Sequence, residues 1–226
     1  MAERKNKKRF TFSQARYDKA VKRQNEYNFL GFAIFDFVHI IAAIYLLVHV
    51  LRHHEGEALE LSECIIEIVL SLALIGFIDA LAEKRDGPPD NRFFTYAWLL
   101  ASASLAIPSI INGFYLSEIE DTTALAFKIS LLCIDVTMFL LFFLSMFTSK
   151  YIRLWKVFLY LGMILVGISG IVGTVGFSLL EAFHESGIHI AADIISLIKN
   201  TIPVVPSVLG LISLYRVDTE YNGQLL

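Results

Sequence analysis

The chain has 226 residues, of which 56% are apolar and only 18% charged, with a mean hydropathy of +0.61 and a formal net charge of −3. A soluble domain carries about 45–50% apolar residues even when glycine is counted, so this composition excludes a disordered chain, a disulfide scaffold and an ordinary soluble enzyme. What remains is an integral membrane protein.

A bilayer core of about 30 Å needs about 20 largely apolar residues per helix. Six stretches meet that requirement: 27–51, 61–82, 93–116, 124–148, 157–180 and 190–215. Lipid offers no water to unpaired backbone groups, so each must be a helix. The alternating ten-residue strands of a transmembrane barrel are absent from the sequence. The expected fold is all-α: six transmembrane helices in three in–out–in hairpins. A basic N-terminal segment (1–26) precedes the helical domain (27–215), and a short tail (216–226) follows it.

The connecting segments set the expected orientation. Segment 1–26 carries nine Lys and Arg, loop 83–92 carries Lys84, Arg85 and Arg92, and loop 149–156 carries Lys150, Arg153 and Lys156. The tail adds Arg216, whereas the three alternate loops contain only Arg52. The positive-inside rule puts both termini in the cytoplasm, and with no Asn-x-Ser/Thr sequon in the sequence the expected location is a plasma membrane, a bacterial cytoplasmic membrane first. The opposite loops are acidic, with Glu55, Glu57, Glu60, Glu118, Glu120, Asp121, Glu181 and Glu185. The net charge therefore averages a basic face and an acidic one. Hydrophobic residues Phe10, Phe12, Ala15, Tyr17, Ala20 and Val21 interleave with the N-terminal cations, a pattern suited to a short helix on an anionic leaflet. Nucleic acid is not among the expected partners, because a membrane-tethered basic flank reads as a topology signal.

In the first span, Asp36 and His39 are three residues apart and share a helix face. They are expected to satisfy one another or a neighbouring backbone. In the second, Glu63 and Glu67 share a face, and Asp79 lies near the far end. In the third, Ala97, Ala101, Ser104, Pro108 and Asn112 form one narrow stripe of a kind that favours close helix contacts. The fourth carries Lys128 and Asp135, seven apart on one face. The fifth carries Gly162, Gly170, Thr174 and Ser178 in a stripe, flanked by Ser169 and Gly173. In the sixth, His189, Asp193, Ser196, Asn200 and Ser207 share a face, with Lys199 beside it. Pro203 and Pro206 interrupt that span. Proline has no N–H, so the carbonyl of Lys199 loses its intrahelical donor near mid-depth. The third and fifth spans show four identities over 24 aligned positions at an offset of 64, too few above what apolar composition supplies to mark a repeat.

A charge at the centre of a membrane helix costs roughly 2.5–3.5 kcal/mol on insertion scales, so each needs a reason. By depth, Asp135 pairs best with Lys199, and Glu67 with Lys128. The functional alternative is a mid-membrane solute or ion site built from Asp36, His39, Asp135, Lys199 and Asn200. Asp36, His39 and Asp135 would then relay protons or cations, since histidine changes charge near neutral pH. Glu63, Glu67, Lys128 and Asp193 form an outer polar cluster in this reading.

His53, His54, His184 and His189 are weak candidates for a metal site at the acidic face. His184-Glu185 is followed by a histidine at the wrong spacing for the His-Glu-x-x-His pattern. Cys64 and Cys133 lie at depths about 9 Å apart, too far for a bridge. The sequence contains no phosphate-binding loop, dinucleotide fingerprint, nucleophile elbow or Cys-x-x-Cys, so no cofactor is expected. The leading expectation is a small transporter or a membrane-embedded solute- or ion-binding subunit. A non-catalytic accessory or scaffold protein is the alternative, holding a protein partner or a second copy through its small-residue stripes, and an intramembrane enzyme comes third.

Overall fold

A computed structural model of the protein describes residues 14–53, 58–83, 91–114, 116, 119, 121–148, 151–180 and 187–222. The described residues form seven helices and no strand: α1 Gln14–His53, α2 Ala58–Glu83, α3 Asn91–Gly113, α4 Thr122–Phe147, α5 Ile152–Leu180, α6 Gly187–Thr201 and α7 Val204–Asn222. They contain six spans long and apolar enough to cross a membrane, the sixth running through α6 and α7 from Ile190 to Tyr215.

The helices extend past the apolar stretches that announce them. No glycine or proline occurs before Gly31, and Ala, Lys, Arg, Gln and Glu are good helix formers. The basic segment from Gln14 onward therefore continues directly into the first span as one helix of 40 residues. It is not a separate surface helix. α4 starts at a conventional cap, where the Asp121 carboxylate accepts from the Thr123 N–H at 2.8 Å.

Neighbours in the chain are neighbours in space. α1 packs on α2, α2 on α3, α3 on α4 and α4 on α5, and the broken sixth span closes the ring by packing on both α5 and α1. The outer surface is apolar, with Val69, Leu72 and Ile75 on α2 and Ile164, Ile168 and Ile171 on α5 exposed. These side chains face lipid. Toward one end, the ring is filled by Trp98 of α3. Its ring lies edge-on to Phe32 of α1 at 4.9 Å and stacks on Phe142 of α4 at 5.3 Å. A Cβ built on Gly210 of α7 would come within 2.7 Å of Trp98 Cζ2 and 3.2 Å of Met163 Sδ. Gly210 is thus the space into which the indole fits.

The expected small-residue stripes are contact surfaces over most of their length, with Ser178 at the end of the α5 stripe exposed. Ala97, Ala101, Ser104 and Pro108 of α3 are buried. On α5, a Cβ at Gly162 would meet the Phe142 ring at 2.7 Å, and one at Gly170 would meet the backbone N of Val204 at 3.3 Å and the carbonyl of Asn200 at 3.4 Å. From the other side, a Cβ at Gly31 of α1 would stand 3.1 Å from Pro206 Cα. The broken span is therefore seated between glycines of α1 and α5.

Candidate functional site

The break between α6 and α7 follows from two prolines. Pro203 removes the donor that would serve the Lys199 carbonyl, and Pro206 removes the one for Ile202. The backbone answers with a tighter turn, in which Val205 N–H donates to the Ile202 carbonyl at 3.0 Å. Side chains tie the break to α5: Ser207 Oγ donates to the Met163 carbonyl at 2.6 Å, and Thr201 Oγ1 lies 2.8 Å from Thr174 Oγ1. Lys199 occupies the last turn of α6, where a cation is favoured by the helix dipole.

From there Lys199 Nζ reaches Glu67 Oε1 of α2 at 2.6 Å. α2 and α6 both pack on α1, and the bridge joins them on either side of it. His39 of α1 lies within electrostatic reach of Lys199 and is 1% exposed. It stacks on Phe35 with ring centroids 4.4 Å apart. One turn along α1, Asp36 hydrogen-bonds Ser71 of α2. Glu67 and Ser71 are four residues apart on one face of α2, as Asp36 and His39 are three apart on α1. The two faces meet in the α1–α2 interface.

This cluster is incompletely satisfied. Both ring nitrogens of His39, Oδ1 of Asp36 and Oε2 of Glu67 are buried with no hydrogen-bond partner among the described residues. A buried polar atom left unpaired costs about 1–3 kcal/mol, more when charged. Four such atoms lie on three residues of the α1–α2 interface.

The structure corrects the ion pairs expected from depth. Lys199 pairs with Glu67 and not with Asp135, and Glu67 therefore does not pair with Lys128. Asp36 and His39 do not satisfy one another. Asp135 faces α3 and α5. Ser109 Oγ donates to Asp135 Oδ2, and Ser169 Oγ donates to Oδ1 at 2.5 Å. It thus leaves the expected mid-membrane group and becomes a closed polar node of its own. Asn200 also lies apart from the cluster. It lines a cleft of about 280 Å³ between α4, α5 and α6, which Lys128 lines as well.

Of the expected outer cluster, Glu63 lies one turn from Glu67 on α2, and Asp193 lies half-buried on α6. His54 and His184 fall outside the described residues, and the side chains of His53 and His189 are likewise not described. Among the described residues, no group of three His, Cys, Asp or Glu side chains is arranged to hold a metal ion. Cys64 is buried and Cys133 exposed, both as free thiols.

Three partners escaped the sequence reading: Ser71, Ser109 and Ser169. Ser71 had a usable signal, its spacing of four from Glu67. Ser169 was read only as a packing residue. Ser109 follows Pro108, outside the stripe that drew notice to α3. No protein-family model, curated protein or solved structure matches this chain.

Proposed function

We propose that the protein is a small transporter, or a membrane-embedded solute- or ion-binding subunit, whose ion site is the cluster of Asp36, His39, Glu67 and Lys199. The observation that carries this reading is the set of buried, unpartnered polar atoms on Asp36, His39 and Glu67, next to a helix broken at mid-span. Broken helices at the midplane are where transporters hold coupling ions. Glu67 meets the Lys199 ammonium, His39 lies within its electrostatic reach and Asp36 rests on Ser71 one turn along, so a proton is the fitting occupant. Both termini are assigned to the cytoplasm on the distribution of Lys and Arg. Asp135 and Asn200 are no longer assigned to this ion site.

The test is ion flux in liposomes that contain the purified protein and a trapped pH dye. An imposed potassium diffusion potential drives the flux, and a sodium-sensitive dye replaces the pH dye in a parallel arm. Wild type should pass protons, and the sodium arm serves as the control. Asp36→Asn and the double change Glu67→Gln with Lys199→Met should abolish the flux while inserting normally. No proton flux, or flux unchanged in both variants, overturns the proposal and favours the scaffold reading.

A further inference from the structure

The cleft that Asn200 lines lies outside the ion cluster. Its walls come from the faces of α4 and α5 that meet there, and Asn200 of α6 adds an amide. Its volume, about 280 Å³, is just under the usual range of roughly 300–1,000 Å³ for ligand sites. Two glycines keep it open. A Cβ on Gly173 would stand 3.6 Å from Asn200 Cβ, an ordinary contact, and one on Gly176 would stand 3.3 Å from the Phe127 ring. Any longer side chain at either position would fill the space.

The lining is apolar and aromatic, with Phe127 and Phe177 among its walls, and its one charged residue among those described is Lys128. Lys128 is the seventh residue of α4, about 9 Å from the start of the helix. Among the described residues, none forms an ion pair with it. The carboxylate seven residues along its own face, Asp135, is held by Ser109 and Ser169. The other carboxylate expected for it, Glu67, is taken by Lys199. An exposed ammonium with no ion-pair partner among the described residues, at the side of an aromatic cleft, suits a single negative charge on an apolar body. One cation and one amide are poorly matched to a phosphate, whose recognition favours several charge-assisted donors.

We infer that this cleft binds an organic monocarboxylate with a small or slender apolar body. The carboxylate rests on the Lys128 ammonium and the Asn200 amide, and the body lies over Gly173 and Gly176 between the phenylalanines. The inference does not depend on the α1–α2–α6 cluster carrying ions. Two sources share this chemistry: a water-borne carboxylate, and a fatty acid from the bilayer.

The experiment is calorimetric titration of the protein in lipid nanodiscs with benzoate and with dodecanoate. Benzyl alcohol and inorganic phosphate serve as controls. At least one carboxylate should bind, and more tightly than either control. Lys128→Met should weaken it by about ten- to a hundredfold, the value of one hydrogen bond to a charged group. Lys128→Arg should retain binding, and Gly173→Val should lose it by filling the cleft. Lys128-dependent binding of benzoate assigns the water-borne source, and of dodecanoate alone the bilayer. Each variant is first checked for an unfolding midpoint close to wild type, and Gly173→Ala, whose methyl has room, is the fallback for Gly173→Val. Absence of binding by both carboxylates, binding indifferent to Lys128→Met, or equal binding of benzyl alcohol or phosphate overturns the inference.

Discussion

At the scale of single residues, two buried acids illustrate opposite solutions to one problem. Asp135 is 2% exposed and accepts a hydroxyl proton at each oxygen. Glu67 is 3% exposed and has one oxygen on Lys199 and the other without a partner. Removing either serine from Asp135 leaves a buried carboxylate oxygen unpaired, so Ser109→Ala or Ser169→Ala should cost about 1–3 kcal/mol in thermal unfolding. Those changes should leave ion flux per folded molecule intact, because the node lies apart from the ion cluster. The Glu67–Lys199 bridge should behave differently. Breaking a buried pair from one side strands a charge and costs about 3–5 kcal/mol, whereas replacing both partners by neutral groups is close to neutral. Glu67→Gln or Lys199→Met alone should therefore destabilise more than the two together, as a double-mutant cycle of unfolding midpoints will read directly.

At the scale of elements, the broken sixth span is held in place by what its neighbours lack. Gly31 and Gly170 approach its backbone so closely that an added Cβ would press on Pro206 Cα at 3.1 Å and Val204 N at 3.3 Å. Gly31→Ala and Gly170→Ala should each destabilise by about 1–3 kcal/mol through overpacking. Gly76 of α2 supplies the control, since nothing lies within 4 Å of its built Cβ. Gly76→Ala should be neutral or stabilise by up to about 1 kcal/mol through helix propensity. Pro203→Ala restores a donor to the Lys199 carbonyl and removes one cause of the break. Flux should fall as Lys199 is drawn away from Glu67, and the unfolding midpoint should fall with it, because a buried pair is broken and a fully buried ring is lost. Undiminished flux in a folded Pro203→Ala protein would show that the break has no part in transport.

At the scale of the whole molecule, the ring closes in chain order, and Trp98 fills its interior between Phe32, Phe142, Met163 and Gly210. Truncating so large a buried side chain costs about 3–5 kcal/mol, so Trp98→Ala should unfold at markedly lower temperature. Orientation is tested separately. In a cysteine-free background, Arg85→Cys should react with a membrane-impermeant thiol reagent only from the cytoplasmic side. Ile119→Cys should react only from the other side. The reverse result would invert the assigned topology.

The six spans were legible in the chain itself. Their length and apolarity answer to bilayer thickness, the break answers to two prolines, and the buried stripes of α3 and α5 answer to residue size. Each of these properties belongs to one segment at a time, so its cause lies within that segment. Partner choice does not. Depth put Asp135 level with Lys199, but α4 is flanked by α3 and α5, whose serines reach the carboxylate first. Lys199 sits on α6, which packs on α1 near α2, and its nearest carboxylate is Glu67. Distance along the membrane normal can be counted off a helix at 1.5 Å per residue. The order of helices around the ring, and the angle at which each faces its neighbours, arises only when all six spans pack together, and that lateral geometry selected every partner in the two polar sites.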